Sequence, residues 1–186
     1  ERRLMTVSNE HLDLVESMED ASALLSWLGT DHGGPVAFDC ESTGLSPETD
    51  SVRLVQFGDR NEGWAVPFEE WKGLVREVVS RWDGRWVGHN ARYDVAMLRK
   101  HGIEMPNWRI EDTMMMSHIV DPTVSIGLKQ QSARHIDARA AAMQSQLDEV
   151  MRSGGYTWAT VPITPSGPLG AYWTYGARDC VLTRRL

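Results

Sequence analysis

In the stretch Val36-Ala37-Phe38-Asp39-Cys40-Glu41-Ser42-Thr43-Gly44-Leu45, an apolar run ends in two carboxylates separated by one residue. Val36 to Phe38 reads as a buried strand. Because side chains alternate along a strand, Asp39 and Glu41 point to one face and Cys40 to the other. Two like charges side by side at the end of a core strand are costly unless a cation lies between them. The plain alternative is a strand running out into a polar turn with both carboxylates solvated. The choice rests on whether further carboxylates converge here.

With 186 residues, 41% hydrophobic and 24% charged, the chain has the length and composition of one soluble globular domain. No apolar run is long enough to span a membrane, and Glu1-Arg2-Arg3 is not followed by the apolar stretch of a secretory signal, so a cytoplasmic protein without membrane contact is expected. Cys40 and Cys180 form no Cys-X-X-Cys pair, and the six histidines are dispersed, so neither points to zinc. Both cysteines are expected to fill small apolar gaps. The net charge of −7 supplies no basic footprint for nucleic acid, although an acidic site that holds divalent cations carries positive charge on the metals. A chain that opens on Glu1 and stops at Leu186 within a helix is expected to be an excised piece.

Taken in order, the pattern predicts an extended piece at Met5 to Val7. A helix then follows, capped by Ser8 or Asn9, with Leu12, Leu14, Val15, Met18, Ala21, Leu24, Leu25 and Leu28 on one stripe. The strand at Val36, then Val52 to Phe57 and Gly63 to Phe68, form an antiparallel meander. Helices are expected from Glu69 to Trp82 and from Asn90 to His101, flanking a short strand at Arg85 to Gly88. Trp108 to Asp112 supplies a fifth strand. Helices follow at Thr113 to Val120, Leu128 to Ala140 and Ala141 to Met151, and Met114, Met115 and Met116 are expected in a helix core. The Pro- and Gly-rich segment Tyr156 to Pro168 reads as a long loop bordering a cleft, where Tyr156 and Trp158 either stack on a ligand or anchor the loop. A last helix starts near Leu169. The result is an α/β domain with a mixed five-stranded sheet flanked by helices.

Two later segments place polar groups at matching spacing. Asn90 and Asp94 lie four apart at a helix start, and Tyr175 and Asp179 lie four apart in the last helix, so each pair shares a helix face. Singly, each residue has an ordinary role: cap, solvated carboxylate, core aromatic, ion-pair partner. Together, Asp39-X-Glu41, Asn90-X-X-X-Asp94 and Tyr175-X-X-X-Asp179 resemble the three ordered motifs of the DEDD exonuclease superfamily. Tyrosine rather than histidine marks the subclass, because the position histidine would take is Thr174. More narrowly, the chain is similar to the 3′-5′ proofreading exonuclease domain of family A DNA polymerases, from about Met5 to Leu186. Glu111-Asp112-Thr113, Gly127-Leu128-Lys129 and Ala177-Arg178-Asp179-Cys180-Val181-Leu182-Thr183 also resemble that family's pattern.

The resemblance implies a ribonuclease H-like (DnaQ-like) fold over residues 1–186, as one exonuclease domain from the N-terminal part of a longer polymerase. It implies hydrolysis of phosphodiester bonds at the 3′ end of single-stranded or frayed DNA, with release of nucleoside 5′-monophosphates. The setting it implies is a bacterium or a phage-infected host cell. Two divalent ions, Mg2+ or Mn2+, are implied at a separation of roughly 3.5–4 Å. Asp39 would bridge both, Glu41 and Asp179 would hold the one that activates water, and Asp94 would support the second. Tyr175, with an ordinary pKa of about 10, is expected to orient the water rather than take its proton. Leu45 is expected to wedge between terminal bases and Asn90 to lie near the terminal nucleotide. Arg92, Arg99, Lys129, Arg134 and Arg178 are open to phosphate contact or to solvent alone. The competing readings are a ribonuclease D-like RNA-trimming enzyme and a catalytically silent nucleic-acid-binding or docking domain.

Overall fold

Among the described residues six strands, not five, form the sheet, and the extra one lies where a helix is expected. The structure is a computed structural model that describes residues 10–186, so the piece at Met5 to Val7 and the caps at Ser8 and Asn9 lie outside the described residues. His11–Leu14 forms strand β1, paired in parallel with the strand at Glu62–Pro67. Leu12 and Leu14 belong to this edge strand, and the helix begins only at Met18–Leu28 (α1). The Ser17 side chain accepts from the Asp20 N–H while the Asp20 carboxylate accepts from the Ser17 N–H, a capping box that sets the start.

Val36–Ser42 (β2), Val52–Gly58 (β3) and Glu62–Pro67 (β4) make the expected antiparallel meander. Phe68–Arg81 (α2) leads to Trp86–Gly88 (β5), then Ala91–Lys100 (α3) and Ile110–Asp112 (β6). The order across the sheet is β1-β4-β3-β2-β5-β6, with β5 parallel to β2 and β6 parallel to β5. Thr113–Val120 (α4), Leu128–His135 (α5), Ala140–Gly154 (α6) and Ala171–Arg185 (α7) complete the fold. The helix expected over Leu128 to Ala140 stops at His135, and α6 begins after a break.

Alternation sorts the strands onto two faces. Val36, Phe38, Val55, Phe57, Trp64, Val66 and Trp86 pack with the apolar sides of α1, α2 and α3. Leu54 and Ala65 face the other way, against Tyr172, Trp173 and Ala177 of α7 and Leu147 and Met151 of α6. Here α7 lies close to the strands. A Cβ at Gly63 would come within 2.4 Å of the Ala177 carbonyl oxygen, so only glycine fits that approach. Both cysteines are buried free thiols, as expected. Met115 and Met116 do not enter a core: both are exposed on α4, because the helix presents Thr113 inward instead.

Candidate active site

Most of the candidate site residues meet where β2 ends beneath α7. Ala37, one residue pair before Asp39, packs with Val87 and Cys180, which fixes the face on which Asp39 and Glu41 emerge. One helical turn separates Tyr175 from Asp179 on α7. These four line a cleft of about 410 Å³ together with Ser42, Gly44, Leu45, Tyr93 and Trp158. Asp94 is buried on α3, where its Oδ1 accepts the Cys40 N–H at 3.0 Å. Leu45 stands at the cleft with 90% of its surface exposed.

Asn90 is not brought into this group. It is exposed at the head of α3 in a left-handed backbone conformation, φ 67°, which asparagine tolerates better than most residues. Its side chain does not cap the helix. Asp112 does: its carboxylate accepts the Asn90 and Ala91 N–H groups at 3.1 and 3.0 Å and also the Met114 N–H at 2.9 Å, tying the starts of α3 and α4 together.

The carboxylates repel one another in a place with little water. Burial pushes Asp39 up to about 7, against the pull of the Lys129 ammonium. Burial and then the Asp39 charge lift Glu41 well above the usual carboxylate range. Asp94 is raised by the same two causes, partly offset by the Cys40 N–H. The Tyr175 hydroxyl is also pushed up, first by burial and then by Glu41 and Asp39, so it keeps its proton at neutral pH. Among the described residues the cation that reaches this cluster is Lys129 of α5: burial pulls its ammonium down to about 7, against the pull of Asp39 and Glu41, and it forms a buried ion pair with Asp179. Its ammonium lies 4.0 Å from the centroid of the Tyr175 ring.

Several residues that shape the cleft carry no signal in the sequence pattern. The Tyr93 hydroxyl donates to the Gly44 carbonyl at 2.6 Å and sits 2.6 Å from Ser42 Oγ, holding the turn that presents Leu45. Arg53 reaches across the sheet to the carbonyls of Trp158 and Val161 at 2.8 and 2.7 Å. That clamp fastens the long loop, so Trp158 both anchors it and lines the cleft, its ring 6.2 Å from that of Tyr175. Tyr156 packs with the apolar cluster under α7. Of the basic candidates, Arg178 is paired with Glu10, Arg99 with Glu104 at 3.2 Å and Arg134 with Asp121 at 3.7 Å, while Arg92 is exposed.

The donor set fits hard divalent cations. Asp39, Glu41, Asp94 and Asp179 offer only oxygen, and the burial and mutual repulsion that lift Glu41 and Asp94 are what a bound cation offsets. As they stand, no three carboxylate, imidazole or thiol groups among the described residues are gathered closely enough to hold an ion.

A mixed sheet covered by helices on both faces, with acidic groups converging at the end of its central strand, defines a ribonuclease H-like nuclease fold. The family model for 3′-5′ exonucleases matches residues 10–186, and the chain belongs to that family, in the branch found in family A DNA polymerases. The DNA polymerase of Mycobacterium phage D29 is 30% identical over 194 residues, covering 94% of this chain and 31% of that polymerase. The DNA polymerase of Mycobacterium phage L5 is 35% identical over 118 residues, covering 60% of this chain and 20% of its own length. The chain therefore spans a third or less of these relatives. Among solved structures, the catalytic core of RRP6 from Trypanosoma brucei matches with a TM-score of 0.62 at 17% identity over 98% of this chain and 47% of that one. Brucella melitensis NrnC with bound Mg2+ matches at 0.59 and 21% over 95% and 76%, and Escherichia coli RNase D at 0.59 and 14% over 92% and 42%. At such identities these structures establish the fold alone. Exonucleases of this family depend on divalent metal, and among the described residues no helix is long and apolar enough to cross a membrane.

Proposed function

We propose that this 3′-5′ exonuclease acts on the 3′ end of single-stranded or frayed DNA as the proofreading domain of a longer polymerase. The observation that carries the reading is one cleft lined by Asp39, Glu41, Tyr175 and Asp179, with the exposed side chain of Leu45 beside them. The polymerase relatives support the proofreading role and a polymerase region in the same polypeptide. Residues 1–186 are then a single exonuclease domain.

Asp39, Glu41, Asp94 and Asp179 would hold two Mg2+ or Mn2+ ions, which would supply positive charge at the scissile phosphate and make the attacking water more acidic. The protein's own groups do the rest. Tyr175, protonated and fixed on α7, orients the water by hydrogen bonding and cannot serve as its base. The water oxygen bonds to phosphorus as the bond to the preceding 3′ oxygen breaks; the water gives up a proton to solvent and the 3′ oxygen takes one from solvent, which releases a nucleoside 5′-monophosphate and a shortened strand with a free 3′ hydroxyl. Leu45 parts the terminal bases and the Trp158 ring offers a face to one of them. Asn90, outside the cleft lining, meets the strand beyond it.

Labelled DNA and RNA oligonucleotides of one sequence, incubated with Mn2+ or Mg2+, test the substrate. Stepwise loss from the 3′ end of single-stranded DNA is expected, faster than from paired ends. Preferential trimming of RNA overturns the DNA reading in favour of a ribonuclease D-like one, and strand binding without hydrolysis in either metal favours a silent binding domain.

A further inference from the structure

Of the three lysines, only Lys129 is buried. Burying an ammonium is unfavourable unless it is paired, and Lys129 is paired twice: with the Asp179 carboxylate and with the face of the Tyr175 ring 4.0 Å away. Its charge also reaches Asp39 and Glu41, whose burial it partly compensates. One side chain thus contacts or stabilises every acidic group on the α7 side of the site.

We propose that Lys129 is the resident counter-ion of the carboxylate cluster, occupying Asp179 in the metal-free protein and yielding it to an incoming divalent cation. The inference rests on the metal-dependent reading of the site. An ammonium and a divalent ion cannot share the same carboxylate oxygen without strong repulsion, so the two compete for Asp179. The unbranched four-carbon stem lets the ammonium withdraw without moving its helix. Independent apolar contacts among Leu128, Ile136, Ala140 and Leu182 keep α5 against α7 once the ion pair opens. Lys129 is a positioning residue on this account: it keeps Asp179 and Tyr175 in place until metal arrives and sets how tightly metal binds.

The test is Lys129→Met in the full chain, with Mn2+ affinity read by titration calorimetry and stability by thermal unfolding in chelator. Removal of the competing charge is expected to tighten Mn2+ binding by about tenfold or more. It should also lower the metal-free Tm and enlarge the rise in Tm that Mn2+ produces. Unchanged or weaker Mn2+ binding overturns the proposal. Should Lys129→Met fail to fold without metal, Lys129→Met/Asp179→Asn should recover the metal-free Tm by removing the stranded carboxylate, and failure to recover it overturns the proposal too. Asp39→Asn separates the two levels of the reading. If wild type binds Mn2+ and Asp39→Asn does not, while Lys129→Met matches wild type, the counter-ion role alone falls. Absence of Mn2+ binding by both wild type and Lys129→Met removes the metal reading and the proposal together.

Discussion

On one face of the sheet, Phe38, Phe57 and Trp86 pack ring against ring under α1, α2 and α3, with Phe38 and Phe57 each 5.8 Å from Trp86. On the other, the small residues Ala37 and Gly63 let α7 approach, and the space that remains at the strand end is lined by carboxylates. Strand β2 belongs to both. Its even positions 36, 38 and 40 enter the aromatic core, while positions 39 and 41 enter the cleft. Apolar burial on the first face stabilises the sheet, and that stability offsets the cost of crowding like charges on the second. Substitutions on the two faces should therefore separate stability from hydrolysis.

The largest effect is expected from Asp39→Asn, which should abolish release of mononucleotides without loss of the fold. Its thermal stability also has a pH signature. The folded chain holds the Asp39 proton up to about 7, whereas an unfolded aspartate loses it near 3.8. Deprotonation through that window favours the unfolded state, so the stability that the Asp39 proton contributes is lost from about pH 4 to about pH 7. Asparagine has no such proton. In melts recorded in chelator, the Tm advantage of Asp39→Asn should widen across that range and then level off, and a constant gap would falsify the assignment.

Next in size is Phe57→Ala on the aromatic face, which should cost about 3–5 kcal/mol in urea unfolding. Those molecules that remain folded should hydrolyse at close to the wild-type rate, and a parallel collapse of rate would show that the two faces are not separable. Gly63→Val should cost about 1–3 kcal/mol by overpacking against the Ala177 carbonyl. Here stability and rate should fall together, because Ala177 lies between Tyr175 and Asp179 on α7. Leu45→Ala is the smallest change: with its side chain exposed, stability should move by less than about 0.5 kcal/mol. Its signature should be kinetic, a raised KM for single-stranded ends with kcat little altered.

Much of this comparison was legible in the sequence, and what was not depends on contacts distant in the chain. The antiparallel meander, α2, α3 and α7 follow from periodicity, and Asp39, Glu41, Tyr175 and Asp179 from strand alternation and four-residue helical spacing. Strand β1 was not legible because four residues are too few to show a period, and its pairing partner lies some fifty positions away. The Ser17-X-X-Asp20 capping box was the available signal that the helix starts later. Asn90 matched the spacing and lies outside the cleft lining, exposed at the head of α3 in a left-handed backbone conformation with its N–H held by Asp112.

Amino-acid order alone determined which side chains share a strand face or a helix face, because those relations need only local backbone geometry. It thereby determined that this chain carries two carboxylates on one edge of a core strand and a tyrosine–aspartate pair on a helix. Tertiary structure decided what surrounds them: that Arg53 fastens the loop bearing Trp158, that Tyr93 holds the turn bearing Leu45, and that Lys129 sits on Asp179. Those contacts join residues 49 to 105 positions apart. Packing of α3 against β2, of the loop after α6 against β3, and of α5 against α7 brings them within hydrogen-bonding distance.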